Sequence, residues 1–430
     1  MARNIILVFV YSLIGLVAIN YFHKEEEPNI KLESLKNKYA LKDSSSVDHS
    51  LFAELQKEFQ SPQEVTSACL SCHNGTHKEI MASSHWNWER VSYIEGRGIK
   101  SLGKKNILNN FCIGAESNEQ ACAKCHIGFG MSDDHFDFDN KKNVDCMVCH
   151  DQSEQYIKGS SMAGYPDREV NLTEVAQHVG NPQKANCGAC HFYSGGGNNV
   201  KHGDLEEGII GCSREVDVHM AGNGMDMECT ACHTTTNHNI SGKLYSVSSN
   251  NVNRATCESC HTNTPHHYEL LNTHTSKVSC QTCHIPTYAK VNSTKMSWLW
   301  SDAGKLKDGK PYFEEDSLGN HDYMSIKGSF KWERNVKPEY VWFNGTADHY
   351  LLGDTIDDSK IVVMNQLNGS HDDPESKIVP VKIHRGDQIY DKQYKMLIQP
   401  KLYSPNVGDS AYWSDFDWQT AATAGMKRIG

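Results

Sequence analysis

The chain has 430 residues, 38% of them hydrophobic, and a formal charge of −11. That charge excludes a nucleic-acid binder, which needs a basic face, and any anionic ligand must find a local positive pocket against the overall field. The apolar content is low for two or three domains that each bury an ordinary core, so something other than side chains must supply buried surface.

At the N-terminus Arg3 precedes an uncharged run from Ile5 to Phe22, followed by His23, Lys24 and three glutamates. The run is long for a signal-peptide core and just long enough to span a bilayer. Over residues 1–22, a cleaved secretory signal and an uncleaved membrane anchor both stay open, and span length favours the anchor. Either one exports the chain to the periplasm, an oxidising compartment. Residues 23–66 read as a charged, then serine-rich tether (Asp43-Ser44-Ser45-Ser46). It ends in a short helix capped by Asp48 and running to about Phe59, with Leu51, Phe52 and Leu55 on one face.

Residues 67–289 carry the chemistry. Here Cys-x-x-Cys-His occurs seven times. The copies are Cys69, Cys72 and His73; Cys122, Cys125 and His126; Cys146, Cys149 and His150; Cys187, Cys190 and His191; Cys229, Cys232 and His233; Cys257, Cys260 and His261; and Cys280, Cys283 and His284. Two cysteines at this spacing reach the two vinyl groups of one haem, and the adjacent histidine becomes the proximal iron ligand. Zinc sites also use Cys-x-x-Cys, but every copy here is followed by histidine. The reading is therefore a multihaem chain with seven covalent haem c groups, which supply the missing apolar surface. The expected fold class is mainly α and irregular, with short helices wrapped around closely packed haems and little β. The motif spacing is irregular, which excludes a solenoid repeat.

An iron with two protein ligands carries electrons, whereas one with an open or weakly held sixth position does substrate chemistry. Seven of the 23 histidines lie in the motifs, leaving 16. Those just beyond a motif or in a tight polar turn are the better distal ligands: His85, His202, His219, His238, His266, His274 and His384. Asp204 and Asp217, two residues from His202 and His219, suit the role of holding a ligating ring by its other N–H. His23, His49, His321, His349 and His371 read as solvent residues, while His77, His135, His178 and His267 stay open. The stretch Ser194-Gly195-Gly196-Gly197-Asn198-Asn199 reads as a loop where backbone passes something closely. Residues 290–430 hold no cysteine and are rich in tryptophan (Trp298, Trp300, Trp332, Trp342, Trp413, Trp418). These rings suit packing above all, and the segment is expected to fold back over the haems.

Six blocks carry a resemblance. They are Asn109-Asn110-Phe111-Cys112, Asn143-Val144-Asp145-Cys146, Gly195 to Asp204, Asp217-Val218-His219-Met220, Cys280 to Pro286, and Tyr350-Leu351-Leu352-Gly353-Asp354. Together they resemble the octahaem tetrathionate reductase family, over essentially everything from Cys69 to Gly430. The resemblance implies a periplasmic reductase of small sulfur or nitrogen oxyanions, with tetrathionate to thiosulfate first and nitrite or hydroxylamine also implied. It implies Lys201 as distal ligand of the haem at Cys122 and Cys125, with His126 proximal and Cys112 beside the same haem. Lys201, Cys112 and His126 are thus the candidate catalytic residues. Lysine binds iron only as the neutral amine and is easier to displace than imidazole; displaced and protonated, it can hold an anion. A Cys112–Cys212 disulfide is the alternative for two leftover cysteines in an oxidising compartment. Arg97, Lys100, Lys104 and Lys105 precede Cys112 and either line the anion's approach or form a solvated face. The family's eighth motif lies beyond the point matching Gly430, so this chain is expected to bind seven haems. Electrons are expected from a periplasmic or membrane donor such as a quinol-linked cytochrome. A non-catalytic conduit with every iron saturated remains the alternative. Intact-mass spectrometry is expected to show seven covalent haem additions per chain, with pyridine haemochrome absorbance in the same ratio; any lower count refutes the motif reading.

Overall fold

The computed structural model describes residues 34, 47–108, 114–242 and 253–430. The described residues from 47 onward belong to one compact unit. The signal or anchor run at residues 5–22 lies outside the described residues. Among those described, no helix is long and apolar enough to cross a membrane.

Most of the motifs sit on a single helical turn. Cys69 and Cys72 close the helix Pro62–Cys72, and later motifs occupy Met147–His150, Lys184–His191, Cys229–Cys232 and Cys280–His284. The second spans Glu119–Cys122 and the 3-10 turn Ala123–Cys125, and the sixth opens on the 3-10 turn Cys257–Ser259. A helical turn puts positions i and i+3 on one face, so the two thiols of a motif share a side. Pro62–Cys72 starts where the sequence signals it: Ser61 caps it, Pro62 opens it, and the Glu64 carboxylate takes the Gln60 N–H at 3.0 Å. Its buried Thr66 donates to the Val144 carbonyl at 2.7 Å, which fixes the first motif's helix against the third motif.

The helix expected from Asp48 to about Phe59 is not formed as one piece. Asp48 does cap, accepting from the Ser50 N–H, but two 3-10 turns follow, His49–Leu51 and Ala53–Leu55. Leu55 and Phe59 are buried, whereas Leu51 and Phe52 are exposed. With only part of the apolar set buried, there is too little packing to carry a continuous helix.

The mainly helical and irregular architecture holds, and most of the strand lies after residue 290. Arg385–Asp387, Thr294–Leu299, Gly328–Glu333, His321–Met324 and Phe313–Glu315 lie side by side in that order. The first pair is parallel and the others antiparallel. Trp298, Trp300, Phe330, Tyr350, Leu397, Leu402 and Tyr412 make the largest core, joined by Leu108 and Val200 from the motif region. Trp298 stacks on Trp300 at 4.9 Å and Tyr412 on Trp418 at 3.7 Å, so these rings serve packing, as expected.

Two polar clasps join the C-terminal part to the motif region. Arg97, at the tip of the hairpin Arg90–Ile94/Gly98–Leu102, bonds Asp354 at 2.7 Å, Asp348 at 3.2 Å and the His349 carbonyl at 2.9 Å. Asn118, 5% exposed, donates to the carbonyls of Gly114, Glu116 and Pro400 and accepts from the Leu402 N–H at 2.7 Å and Tyr403 N–H at 3.2 Å. Asn118→Ala strands several buried backbone groups and is expected to cost about 3 kcal/mol. The check is a lower guanidinium midpoint at unchanged haem content.

Candidate functional site

Four pairs of imidazoles face one another across nearly the same gap. Ring centres lie 6.2 Å apart for His85 and His191, 6.4 Å for His150 and His238, 6.2 Å for His219 and His261, and 6.2 Å for His266 and His284. A metal held about 2 Å from one nitrogen of each ring requires roughly this separation. Each pair joins a motif histidine to one from another part of the chain. His150 Nδ1 lies 2.7 Å from the Gly180 carbonyl and His238 Nδ1 2.9 Å from the Glu79 carboxylate, which leaves Nε2 of both for iron. His233 Nδ1 is likewise tied to the Ser241 carbonyl at 2.9 Å. Burial holds His85 and His150 below the ordinary imidazole value and pushes His191 down to about 4. Neutral imidazole is the form that binds iron.

The thiols show which motifs are neighbours. Cys69 is within hydrogen-bonding reach of Cys146, Cys125 of Cys190, Cys187 of Cys229, and Cys257 of Cys280. Cys187 also lies near Cys149, and Cys232 near Cys260. The fourth motif therefore touches the second, third and fifth. Thiol pairs on single turns, facing imidazoles and carbonyl-anchored rings all fit covalent haem c.

The second motif has its own surroundings. His126 is fully buried, ringed by Trp88 at 5.0 Å, Phe136 at 5.2 Å, Trp86 at 5.4 Å and Phe138 at 6.3 Å. Its Nε2 lies 2.6 Å from the Trp86 carbonyl, while Nδ1 is buried with no hydrogen-bond partner. The carbonyl thus holds the nitrogen that His150 and His238 leave for iron. Burial pushes this ring down to about 3, so it too stays neutral. The short helix Ser84–Asn87, capped by Ser83, delivers both Trp86 to this cage and His85 to the fourth motif. Lys104 stands over Trp88 at 5.3 Å and Lys105 over Phe138 at 3.9 Å, at the cage's edge, while Arg97 is spent on its clasp.

Lys201 belongs to a separate basic cluster. Its loop turns through Gly195 and Gly196, both at φ +89°, and Asn199 at φ +56°. A Cβ on Gly195 would meet Val200 at 2.8 Å, so the expected close passage is the loop folding on itself. Thr294 donates to the Asn199 carbonyl at 2.5 Å. Lys382 donates to the Val200 carbonyl at 2.8 Å, Thr294 Oγ1 at 2.5 Å and the Lys295 carbonyl at 3.2 Å. Lys295, 4% exposed, lies 3.8 Å from the Phe330 ring centre and 4.5 Å from that of Trp298. Burial and then the charges of Lys201 and Lys382 push His202 down to about 4, and His384 is held well below the ordinary value by burial and the same two lysines. Burial pushes Lys382 itself to about 6. Lys201, His202, Lys295, Lys382 and His384 thus form a local cluster of basic side chains. The lysine charges that bear most on His126 come instead from Lys158, Lys105 and Lys104.

Other expected residues fall differently. Asp204, expected to orient His202, takes the Lys290 N–H at 3.3 Å, and burial pushes it up to about 6. Asp217 does lie 3.8 Å from His219 Nδ1. His274 ends the helix Glu269–His274 with its side chain exposed. His349 and His49 are not the solvent residues expected. His349 is 3% exposed, with Nδ1 3.2 Å from Asn365, at the end of the strand Ala347–His349 where its carbonyl meets the Arg97 clasp. His49 has a buried Nδ1 with no partner and, like His73, lies close enough for its charge to reach His150. His77 Nδ1 is also buried without a partner. Cys212 is a buried free thiol 4.0 Å from the Asp217 carbonyl. Cys112 lies outside the described residues, between Leu108, which shares a core with Val200, and Gly114, which packs on Gln399.

Three comparisons bear on this arrangement. A family model for bacterial cytochrome c matches residues 295–430, the part without cysteines. The crystal structure of an octahaem cytochrome c from Shewanella oneidensis superposes with a TM-score of 0.82 at 42% identity, covering 89% of this chain and 84% of that one. An uncharacterized protein of Archaeoglobus fulgidus is 25% identical over 246 residues, 45% of this chain and 80% of that protein. Identity and coverage at that level, on a chain whose thiols and imidazoles are set for haem c, place it in a family: it belongs to the multihaem c-type cytochromes, alongside the Shewanella octahaem protein.

Proposed function

We propose that this chain is an exported c-type reductase of small sulfur or nitrogen oxyanions, with tetrathionate as first substrate, working at the second motif. The observation that supports the reading is the cluster of basic side chains around Lys201, with His202, Lys295, Lys382 and His384, in a chain of net charge −11. Such a cluster offers an anion a local attraction that the overall field withholds. Bound haem supplies single electrons and an iron whose sixth position is exchangeable.

The chain's residues do the rest. Lys201 would hold the second-motif haem iron as the neutral amine and, once displaced and protonated, would neutralise the dianion. His126 holds the proximal side, its ring immobilised by Trp86, Trp88, Phe136 and Phe138. The Cys112 thiolate attacks one central sulfur of tetrathionate, and the central S–S bond breaks. One thiosulfate leaves, and the other half stays on Cys112 as a mixed disulfide. Two electrons from the haems then release the second thiosulfate and restore the thiolate. His85, His238, His219 and His266 would hold iron together with His191, His150, His261 and His284. Such doubly held centres would carry electrons to the site.

The four facing pairs also favour a second reading, a conduit with every iron saturated. One experiment separates the two. In Lys201→Ala, turnover with tetrathionate, nitrite and hydroxylamine is expected to fall by about tenfold or more at unchanged haem content. Unchanged turnover with all three removes Lys201 from the site. Nitric oxide added to the reduced parent protein should bind one haem rapidly, and binding at none establishes the conduit.

A further inference from the structure

The mechanism leaves one buried ion pair unused. The Lys158 ammonium and Asp145 carboxylate lie 3.1 Å apart, with side chains 4% and 0% exposed. The ammonium also donates to the His126 carbonyl and, at 3.4 Å, to that of Gly128. The carboxylate accepts from the Tyr156 hydroxyl at 2.8 Å and from the Val148 N–H at 3.1 Å, in the helical turn of the third motif. The Asp145 N–H in turn donates to the Ile127 carbonyl at 2.9 Å, so the two motifs are stitched together here.

Stability alone is a poor reason to bury such a pair. Taking both charges out of water costs several kcal/mol per ion, and apolar replacements of similar size are often as stable or more so. A fixed charge in a dry interior does act strongly on neighbouring charges. The two ends of this pair face different motifs. The cation touches the proximal histidine of the second motif and is the strongest charge acting on that ring. The anion adjoins the third motif and acts on Cys146 and, more strongly than Lys158 does, on Cys149.

Reduction adds one electron to an iron, so a nearby cation favours it and a nearby anion opposes it. We propose that Lys158 and Asp145 are positioning residues forming a fixed dipole that raises the reduction potential of the haem at His126 and lowers that of the haem at His150. An electron leaving the third-motif iron, which is oxidised, then comes to rest on the second-motif iron, which is reduced. The inference takes its meaning from reduction occurring at the second motif, but its test needs no substrate and does not depend on Lys201.

The test is potentiometric titration of the full haem-loaded protein, followed by visible and electron paramagnetic resonance spectra. Lys158→Gln is expected to move one component downward by about tenfold in its reduction equilibrium, or 59 mV for one electron. Asp145→Asn is expected to move one component upward by a similar factor. Loosened packing would shift potentials in the same direction in both variants, so opposite signs distinguish the dipole from a structural role. Lys158→Arg keeps the charge and should keep the parent potentials. The double variant leaves no buried charge unpaired. It serves as the fallback if a single variant fails to load haem, and it should bring the two components closer together by about tenfold or more. Shifts of the same sign in both single variants, or a gap in the double variant within twofold of the parent's, overturn the proposal.

Discussion

Two thiols on one helical turn hold a porphyrin within a few bonds of the backbone, and this short tether governs the rest of the architecture. A chain with 38% hydrophobic residues has little else with which to build an interior. Each attachment needs one turn of helix, which explains why so many helices here are four to eight residues long. Helices that short have little stability of their own in water and depend on what they are bonded to. The side-chain core is correspondingly concentrated in the cysteine-free C-terminal part, around Trp298, Trp300 and Tyr412. Asn118 and Arg97 hold that part against the motif region.

The same interior sorts charge. The motif rings of His191 and His126 are kept neutral by desolvation and need lose no proton before they ligate. Basic side chains gather around Lys201, and a buried cation lies beneath His126 through Lys158. The net negative charge of the whole chain hides both concentrations.

Much of this was legible in the sequence because haem attachment is a short-range signal. The seven motifs, and the placement of their cysteines on helical turns, follow from spacing alone. His85, His219, His238 and His266 could be singled out because each lies in a polar turn or close to a motif, and each stands opposite a motif ring. Which ring each would face depended on long-range packing that no local pattern encodes. The burial of His49 and His349 escaped for the same reason. The sheet after residue 290 gave a weak signal, since Thr294–Leu299 is buried on successive residues rather than alternate ones. Lys158 could not be found at all. A lysine 13 residues after Asp145 looks like any surface cation until the fold removes it from water.

The contacts of the fourth motif with the second, third and fifth give the array a fork rather than a single file. One limb runs by way of Cys149 and Cys146 to Cys69, and the other by way of Cys229, Cys232 and Cys260 to Cys280. On the proposed reductase reading, single electrons from either limb would meet one step before the second motif, and a substrate that takes two could draw on both limbs.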